Sequence, residues 1–335
     1  MGRPARAAAG AADGVRPLLK WAGGKRQLLP ALRPFYPDRF ARYLEPFAGS
    51  AAVFLDLHNG GRLDGREVRL SDINADVIGC YLMVRDAPEE TIAALAALEQ
   101  GHRASPRAHF YEVRDARFNP RRLAIHARPE PERHYTPELA AMLVYLNRTG
   151  YNGLFRVNAS GVFNVPLGRY GAVRICHTQN LRRLSAAFNR DGVSLRVQRF
   201  DEALADASAG DFVYLDPPYA PVSQTASFTS YTAGGFGPAE QAALQRLVIT
   251  MSRRGAQVLL SNSVTRATRD LYEANPEVRQ AGLRAVTVPA RRAINSRASG
   301  RGAVLEYVVS NVAAAAVSSA TPPVPARARG RVRVN

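Results

Sequence analysis

Lysine is nearly missing from this chain: of its 45 basic residues only Lys20 and Lys25 are not arginine. A codon bias that converts Lys to Arg wherever Arg will serve leaves such a pattern. Cysteine is as scarce. Cys80 and Cys176 form no CxxC and have no His at ligand spacing, which argues against a zinc site or a disulfide framework and suits a reducing cytoplasm. Both read as small core residues. No apolar run is long enough to cross a bilayer, and the first sixteen residues lack a hydrophobic signal core. The six histidines have no mutual spacing for a metal or a triad. Neither a metal nor a membrane is expected.

What is present is length and positive charge. The 335 residues are 46% hydrophobic, enough for one large core or two modest ones. The formal net charge is +17; the ends carry +2 and +4, which leaves +11 on the body. A basic body suits a polyanion, most simply nucleic acid; a basic proteome or a phosphate-rich small ligand would account for the charge as well. The two lysines lie five apart in Leu18-Leu19-Lys20-Trp21-Ala22-Gly23-Gly24-Lys25, which also holds the one Trp. A compact ammonium and a forked guanidinium are not equivalent, so this segment is read as needing Lys.

The order of elements predicts a doubly wound α/β sheet. Strands are expected at 42–47, 68–70, 194–199, 212–215 and 257–261, with 283–289 and 303–310 as a terminal antiparallel pair. Helices are expected at 51–58, 74–85, 89–100, 179–188 and 238–253. Thr136 and Pro137 read as the cap and first position of a further helix running to Leu146. Val157 to Phe163 reads as a β-hairpin turning around Ala159 to Gly161. The division that follows is an arm at 1–16 and a catalytic half at 17–82. An insert at 83–178, a second catalytic half at 179–312 and a basic tail at 313–335 complete it. Arm and tail are expected to be disordered.

Three strand ends carry chemistry. Phe212-Val213-Tyr214-Leu215 reads as a buried parallel strand, and it runs into Asp216-Pro217-Pro218-Tyr219. Open α/β sheets hold their ligands at that end. Asp216 supplies an acceptor, the two prolines stiffen the turn and leave its carbonyls to accept, and Tyr219 offers a stacking face. Such a set suits a planar ring with an exocyclic NH2, such as adenine. Glu45-Pro46-Phe47-Ala48-Gly49-Ser50 is a small-residue turn into a helix, where backbone N–H groups approach a ligand. It is not a G-x-G-x-x-G turn. The next strand ends in Asp72, a position from which an acid accepts ribose hydroxyls. A nucleoside with one charged end fits, and S-adenosylmethionine is such a molecule. An ordinary βα turn and a capping Asp would look the same.

Taken with Ser71-Asp72-Ile73-Asn74, Tyr145-Leu146-Asn147-Arg148, Gly150-Tyr151-Asn152-Gly153-Leu154, Phe163-Asn164-Val165-Pro166 and Gly168-Arg169-Tyr170, these blocks resemble the Dam-type DNA adenine-N6 methyltransferases, the D12 class of the alpha group of amino-methyltransferases. They stand in that family's order and at its spacing from about 17 to 311. The resemblance implies a Rossmann-like class I methyltransferase sheet with an inserted helical and β-hairpin DNA-recognition domain, S-adenosylmethionine as donor, and duplex DNA as substrate. It assigns Trp21, Lys25, Glu45, Phe47, Gly49, Asp72, Ile73, Asp201 and Asp216 to the cofactor, Asp201 by a loose match beside Phe200. Asp216, Pro217, Pro218 and Tyr219 become the catalytic turn.

The resemblance further implies contacts of Lys20, Tyr151, Asn152, Leu154, Arg156 and Pro166 with a GATC site. Arg148, Asn158, Arg169 and Tyr170 complete the expected DNA surface. Cytosine-N4 and glutamine-amide methyltransferases tend to carry Ser or Asn where this chain has Asp216, and they lack the insert. A DNA-binding protein that had lost catalysis would be expected to lack some of Lys25, Asp72, Asp216 and Tyr219. Ser261-Asn262-Ser263 is read as either a DNA contact or a helix cap. A monomer at the nucleoid is expected.

Overall fold

The computed structural model describes residues 14–21, 25–170, 173–219, 236–291 and 303–314. Outside them lie Ala22 to Gly24, Gly171, Ala172, the segment 220–235, Arg292, Arg297, and most of the expected arm and tail. Seven strands form one sheet: β1 (Arg42–Glu45), β2 (Glu67–Asp72), β3 (Val193–Val197), β4 (Asp211–Leu215), β5 (Gln257–Ser263), β6 (Arg284–Arg291) and β7 (Ala303–Ser310). The expected strands are found to within two residues at either end. Their order is β3-β2-β1-β4-β5-β7-β6, parallel except for β7, which runs against both of its neighbours.

Alternation along the central strands explains the two faces. Tyr43, Phe212, Tyr214, Leu259 and Val308 point to one core. Leu44, Val213, Leu215, Val258, Leu260, Tyr307 and Val309 point to the other. The second core is closed by the helices Pro238–Arg253, Arg266–Tyr272 and Pro276–Gln280. The first is larger, because the helices Pro88–Ala104 and Pro137–Thr149 of the insert add Leu95, Leu98 and the apolar face of 139–146 to it. The insert therefore packs into the same core as Ala75–Asp86, the helix that follows β2.

Chain reversal occurs between β1 and β4. The first three strands step outward from β1, and the chain then returns to pair β4 on the other side of it. In such sheets that switch point opens the ligand crevice beyond the carboxyl ends. Glu45 closes β1 and Asp216 follows β4, so the sequence places both acids on this crevice.

Four expectations change. Val15 and Arg16, assigned to a disordered arm, are tied down. Asn59 exchanges two hydrogen bonds with the Val15 main chain, and Asn180 does the same with Arg16. The hairpin over 157–163 is closed by one antiparallel bridge, Val157 with Phe163, and by Asn158 N–H to Val162 O at 2.9 Å. Pairing continues through Asn164 N–H to Arg156 O, Tyr151 N–H to Pro166 O and a second bridge, Gly150 with Leu167; it is interrupted where Asn152 and Gly153 turn the outgoing arm through positive φ and Pro166 has no N–H to give. Residues 112–118 form a π-helical turn that periodicity did not announce. Ser261, Asn262 and Ser263 are buried within β5, and Thr265 caps the next helix instead.

Gly79 shows how tightly the insert is seated. A Cβ there would lie 2.3 Å from Tyr135 Cδ2. The ring cannot retreat easily, because its hydroxyl donates to Asp76 Oδ1 at 2.7 Å. Gly79→Ala gains about 1 kcal/mol of helix propensity but overpacks at a cost of about 1–3 kcal/mol. We expect net destabilisation, read as a lower urea midpoint; an unchanged or higher midpoint would contradict this account.

Candidate active site

The segment before the sheet is positioned first. Asn147 is 1% exposed; it accepts from Lys20 N–H and donates to Lys20 O, both at 2.7 Å, and also donates to Gly153 O. This clamp delivers Trp21 and Lys25 to the crevice. The Trp21 ring stacks on Phe155 of the insert at 5.7 Å and presses on Gly49, where a Cβ would lie 2.8 Å from Trp21 Cδ1. Gly49 also has φ +44°, so two independent reasons require glycine.

Asp72 ties the turn to β2. Its carboxylate accepts from Gly49 N–H and from Asn74 N–H, each at 2.9 Å. Each oxygen keeps a further lone pair. Burial pushes the Asp72 carboxyl up to about 6, against the pull of those N–H groups. Ile73 beside it is 47% exposed, an apolar side chain standing in the open next to a polar one. Glu45 points inward. It accepts from Tyr43 OH at 2.9 Å and Phe54 N–H at 3.2 Å, and burial raises it to about 8, with Asp216 and Asp72 adding repulsion.

Asp216 is the centre of the crevice. Lys25 Nζ, on a side chain only 4% exposed, lies 2.6 Å from Oδ1, and Ser261 donates to the same oxygen at 3.3 Å. Among the described residues nothing engages Oδ2. Burial raises the Asp216 carboxyl, and the Lys25 ammonium opposes that rise. The same ammonium sits 4.4 Å above the Tyr219 ring. Tyr219 OH donates to Glu306 on β7 at 2.7 Å, and Gln241 donates to Pro218 O at 3.0 Å. The turn is therefore held at its acid, its second proline and its tyrosine. Phe47 joins a separate stack with Phe200 and Phe236, and Asp201 pairs with Arg199 at the surface.

Across the insert, Tyr151, Asn158, Pro166, Arg169 and Tyr170 are exposed; Asn152, Leu154 and Arg156 are half-buried. Arg156 donates to Asn164 at 2.8 Å. Asn158 accepts from the N–H groups of Ser160 and Val162, so its carbonyl oxygen holds the hairpin turn while its amide nitrogen faces out. Arg148 is half-buried, donates to Leu18 O, and faces Arg16, which with burial lowers its pKa. Lys20 Nζ lies 4.6 Å above the Tyr170 ring.

Sequence reasoning missed Glu306 and Phe155, and it offered Ser261 as a DNA contact or a helix cap and not as a partner of Asp216. An acid inside the apolar run of β7 was a readable signal for Glu306. Ser261 meets Asp216 only through the register that pairs Leu215 with Leu260, and Phe155 carried no signal.

A parallel sheet of this strand order with an antiparallel seventh strand, and a pocket at its carboxyl ends, is the Rossmann-like methyltransferase fold. The chain belongs to the D12 class N6 adenine-specific DNA methyltransferases, whose family model it matches over residues 21–286. It is 33% identical over 297 residues to the Type II methyltransferase M1.LlaDCHI of Lactococcus lactis subsp. cremoris, covering 89% of this chain and 95% of that protein. It is 36% identical over 258 residues to the Type II methyltransferase M.MjaIII of Methanocaldococcus jannaschii, covering 74% and 84%. It is 34% identical over 293 residues to the DNA adenine methylase of Escherichia coli, covering 88% and 94%. The protein is an adenine-specific DNA methyltransferase, a family in which S-adenosylmethionine is in general the donor.

The residues present fit that donor. The Asp72 and Asp216 carboxyl groups stand at the crevice with the Lys25 ammonium on Asp216, which suits a positively charged sulfonium. Exposed Ile73 beside Asp72 suits an adenosine, with an apolar side chain for the base and an acceptor for the ribose. Among the described residues no group of acids, histidines and cysteines could hold a metal, and no helix is long and apolar enough to cross a membrane.

The raised Glu45 gives a stability prediction. The folded chain keeps its proton to about pH 8, whereas an unfolded chain releases it near 4.5. The stabilisation present below pH 4.5 is therefore lost as pH rises through 8. Glu45→Gln keeps a neutral group of the same shape. Its Tm should fall less than the parent's between pH 5 and 8, as the difference in unfolding free energy grows to on the order of a few kcal/mol at the upper end; parallel curves would refute the assignment.

Proposed function

We propose that this enzyme transfers the methyl group of S-adenosylmethionine to N6 of an adenine turned out of duplex DNA, within GATC. The observation that carries the reading is the Asp216 carboxylate, held at Oδ1 by Lys25 and Ser261 beside the Tyr219 ring. Bound at Trp21, Lys25, Gly49, Asp72 and Ile73, with Glu45, Phe47 and Asp201 shaping the surround, the donor supplies an electrophilic methyl on a sulfonium.

Adenine N6 is a weak nucleophile because its lone pair is delocalised into the ring. Asp216 Oδ2 accepts one N–H and the Pro217 carbonyl the other, which favours the positive charge that grows on N6 during transfer. Orientation and electrostatics do most of the work, and the product proton leaves after the methyl has arrived. Turning the base out costs a few kcal/mol; stacking on Tyr219, about 1–3 kcal/mol, offsets part of this. Lys25 keeps Asp216 ionised against its burial.

The insert, 83–178, reads the DNA. Arg156 takes a guanine, Leu154 and Pro166 a thymine methyl, and Lys20 the first base pair. Tyr151 and Asn152 distort the site, while Arg148, Asn158, Arg169 and Tyr170 flank it. The working unit in this reading is a monomer at the cytoplasmic nucleoid.

Labelled donor and duplexes with and without GATC, followed by identification of the methylated nucleoside, test the whole reading. N6-methyladenine confined to GATC supports it; label on another base or at random adenines refutes it. Asp216→Ala should abolish transfer and leave DNA retention in a gel-shift assay intact, and robust turnover would contradict the mechanism. Lys25→Met should cut kcat at least about tenfold. It should also move the acid limb of the kcat profile to higher pH, since Asp216 loses the cation that opposes its raised pKa. An unmoved limb would separate Lys25 from the ionisation of Asp216.

A further inference from the structure

Along one edge the return arm of the hairpin is bonded to the outgoing arm, at Val162, Asn164, Pro166 and Gly168; its other edge has no strand beside it among the described residues, yet its main chain is held there too at every second residue. Arg114 Nη1 donates to Val165 O at 3.0 Å. Asn119 donates to Phe163 O at 3.0 Å and accepts from Phe163 N–H at 2.9 Å. Arg122 Nη1 donates to Gly161 O. Carbonyls at i, i+2 and i+4 lie along one edge of an extended strand. Three side chains from the π-helical turn and the helix Asn119–His126 thus stand where a neighbouring strand would. The π turn has a part in this, because it resets the spacing between Arg114 and Asn119.

The hold continues to the cofactor side. Arg122, 7% exposed, bonds Asp76 Oδ2 through Nε at 2.8 Å and Nη2 at 2.7 Å. Asp76 is fully buried and also accepts from Tyr135 OH at 2.7 Å and pairs with His126 Nε2 at 3.0 Å. It lies four residues beyond Asp72, in the first turn of the helix that leaves β2. One rigid path therefore runs from the end of β2 to the turn of the hairpin.

We infer that Arg114, Asn119 and Arg122 are specificity-determining positioning residues. They touch no base; they fix how far and in which register the hairpin is presented, and Asp76 references that pose to the pocket. The inference rests on the reading of the hairpin as the part that recognises DNA. Half an ångström of slack at the arm would let Arg156 miss its fork geometry, while the pocket at Asp216 stays as it was.

The test uses the full-length enzyme and compares kcat/KM on GATC with kcat/KM on duplexes altered by one base pair. Asn119→Ala should lower that discrimination ratio about tenfold or more at the pair read by Arg156, with kcat on GATC within about threefold. A purely structural role would lower Tm and leave the ratio among folded molecules unchanged. Arg156→Ala is run beside it. If Arg156→Ala loses discrimination and Asn119→Ala keeps it, the inference is overturned and the hairpin reading stands. If neither loses it, the hairpin reading fails and takes the inference with it. Should Asn119→Ala not fold, Arg114→Met, which removes only the outermost hold at Val165, decides: a fallen ratio supports the inference and an unchanged one ends it.

Discussion

Everything in the pocket follows from an imbalance of charge. Glu45, Asp72 and Asp216 meet over the ends of three adjacent strands, and Glu306 adds its field to Asp216 from β7. Lys25 is the one cation paired with any of them among the described residues. Buried carboxylates with no cation beside them are costly even when hydrogen-bonded, so burial raises Glu45 to about 8 and Asp72 to about 6. A site under that strain gains from any positive charge brought to it. A sulfonium donor and the amine that turns cationic as it takes the methyl both answer that need. The pocket is therefore complementary to the charge that moves during the reaction, not only to the shape of its ligands.

Asparagine solves a second problem. Segments that belong to no sheet still have to be placed to within fractions of an ångström. Asn59, Asn180, Asn147 and Asn119 each exchange donor and acceptor with one residue of a passing chain, at Val15, Arg16, Lys20 and Phe163. A carboxamide offers the same pair of groups as a backbone peptide, so it acts as a strand one residue long. Three of these clamps secure the segment that brings Lys25 to Asp216, and the fourth secures the hairpin.

Much of this was legible in the sequence. Strands and helices alternate with clear periodicity, and Asp216, Asp72 and the Gly49 turn fall at strand ends, where the topology makes a crevice. What escaped was of two kinds. Ser261 and Glu306 reach the site through strand register across long separations, a relation that no local pattern encodes. The hairpin looked self-sufficient because its turn residues were right, but its arms bond each other along one edge only, and the outer edge of the return arm depends on helix side chains 39 to 51 residues earlier. The inward aim of Glu45 was also hidden: its motif fits a ligand turn, whereas its bonds go to Tyr43 and Phe54.

The scarcity of lysine finds its reason in the same geometry. Lys20 and Lys25 both rest over a tyrosine ring, Tyr170 at 4.6 Å and Tyr219 at 4.4 Å, while reaching an oxygen, Arg148 O at 3.4 Å and Asp216 Oδ1 at 2.6 Å. A guanidinium is broad and flat. To bond that oxygen end-on it would have to stack its plane on the ring or tilt away from it, with its remaining N–H groups spread beyond the oxygen it reaches. A point-like ammonium satisfies the ring and the oxygen together. In a chain that writes Arg at every other basic position, these two sites are where the fork does not fit, and one of them is the partner of the Asp216 carboxylate.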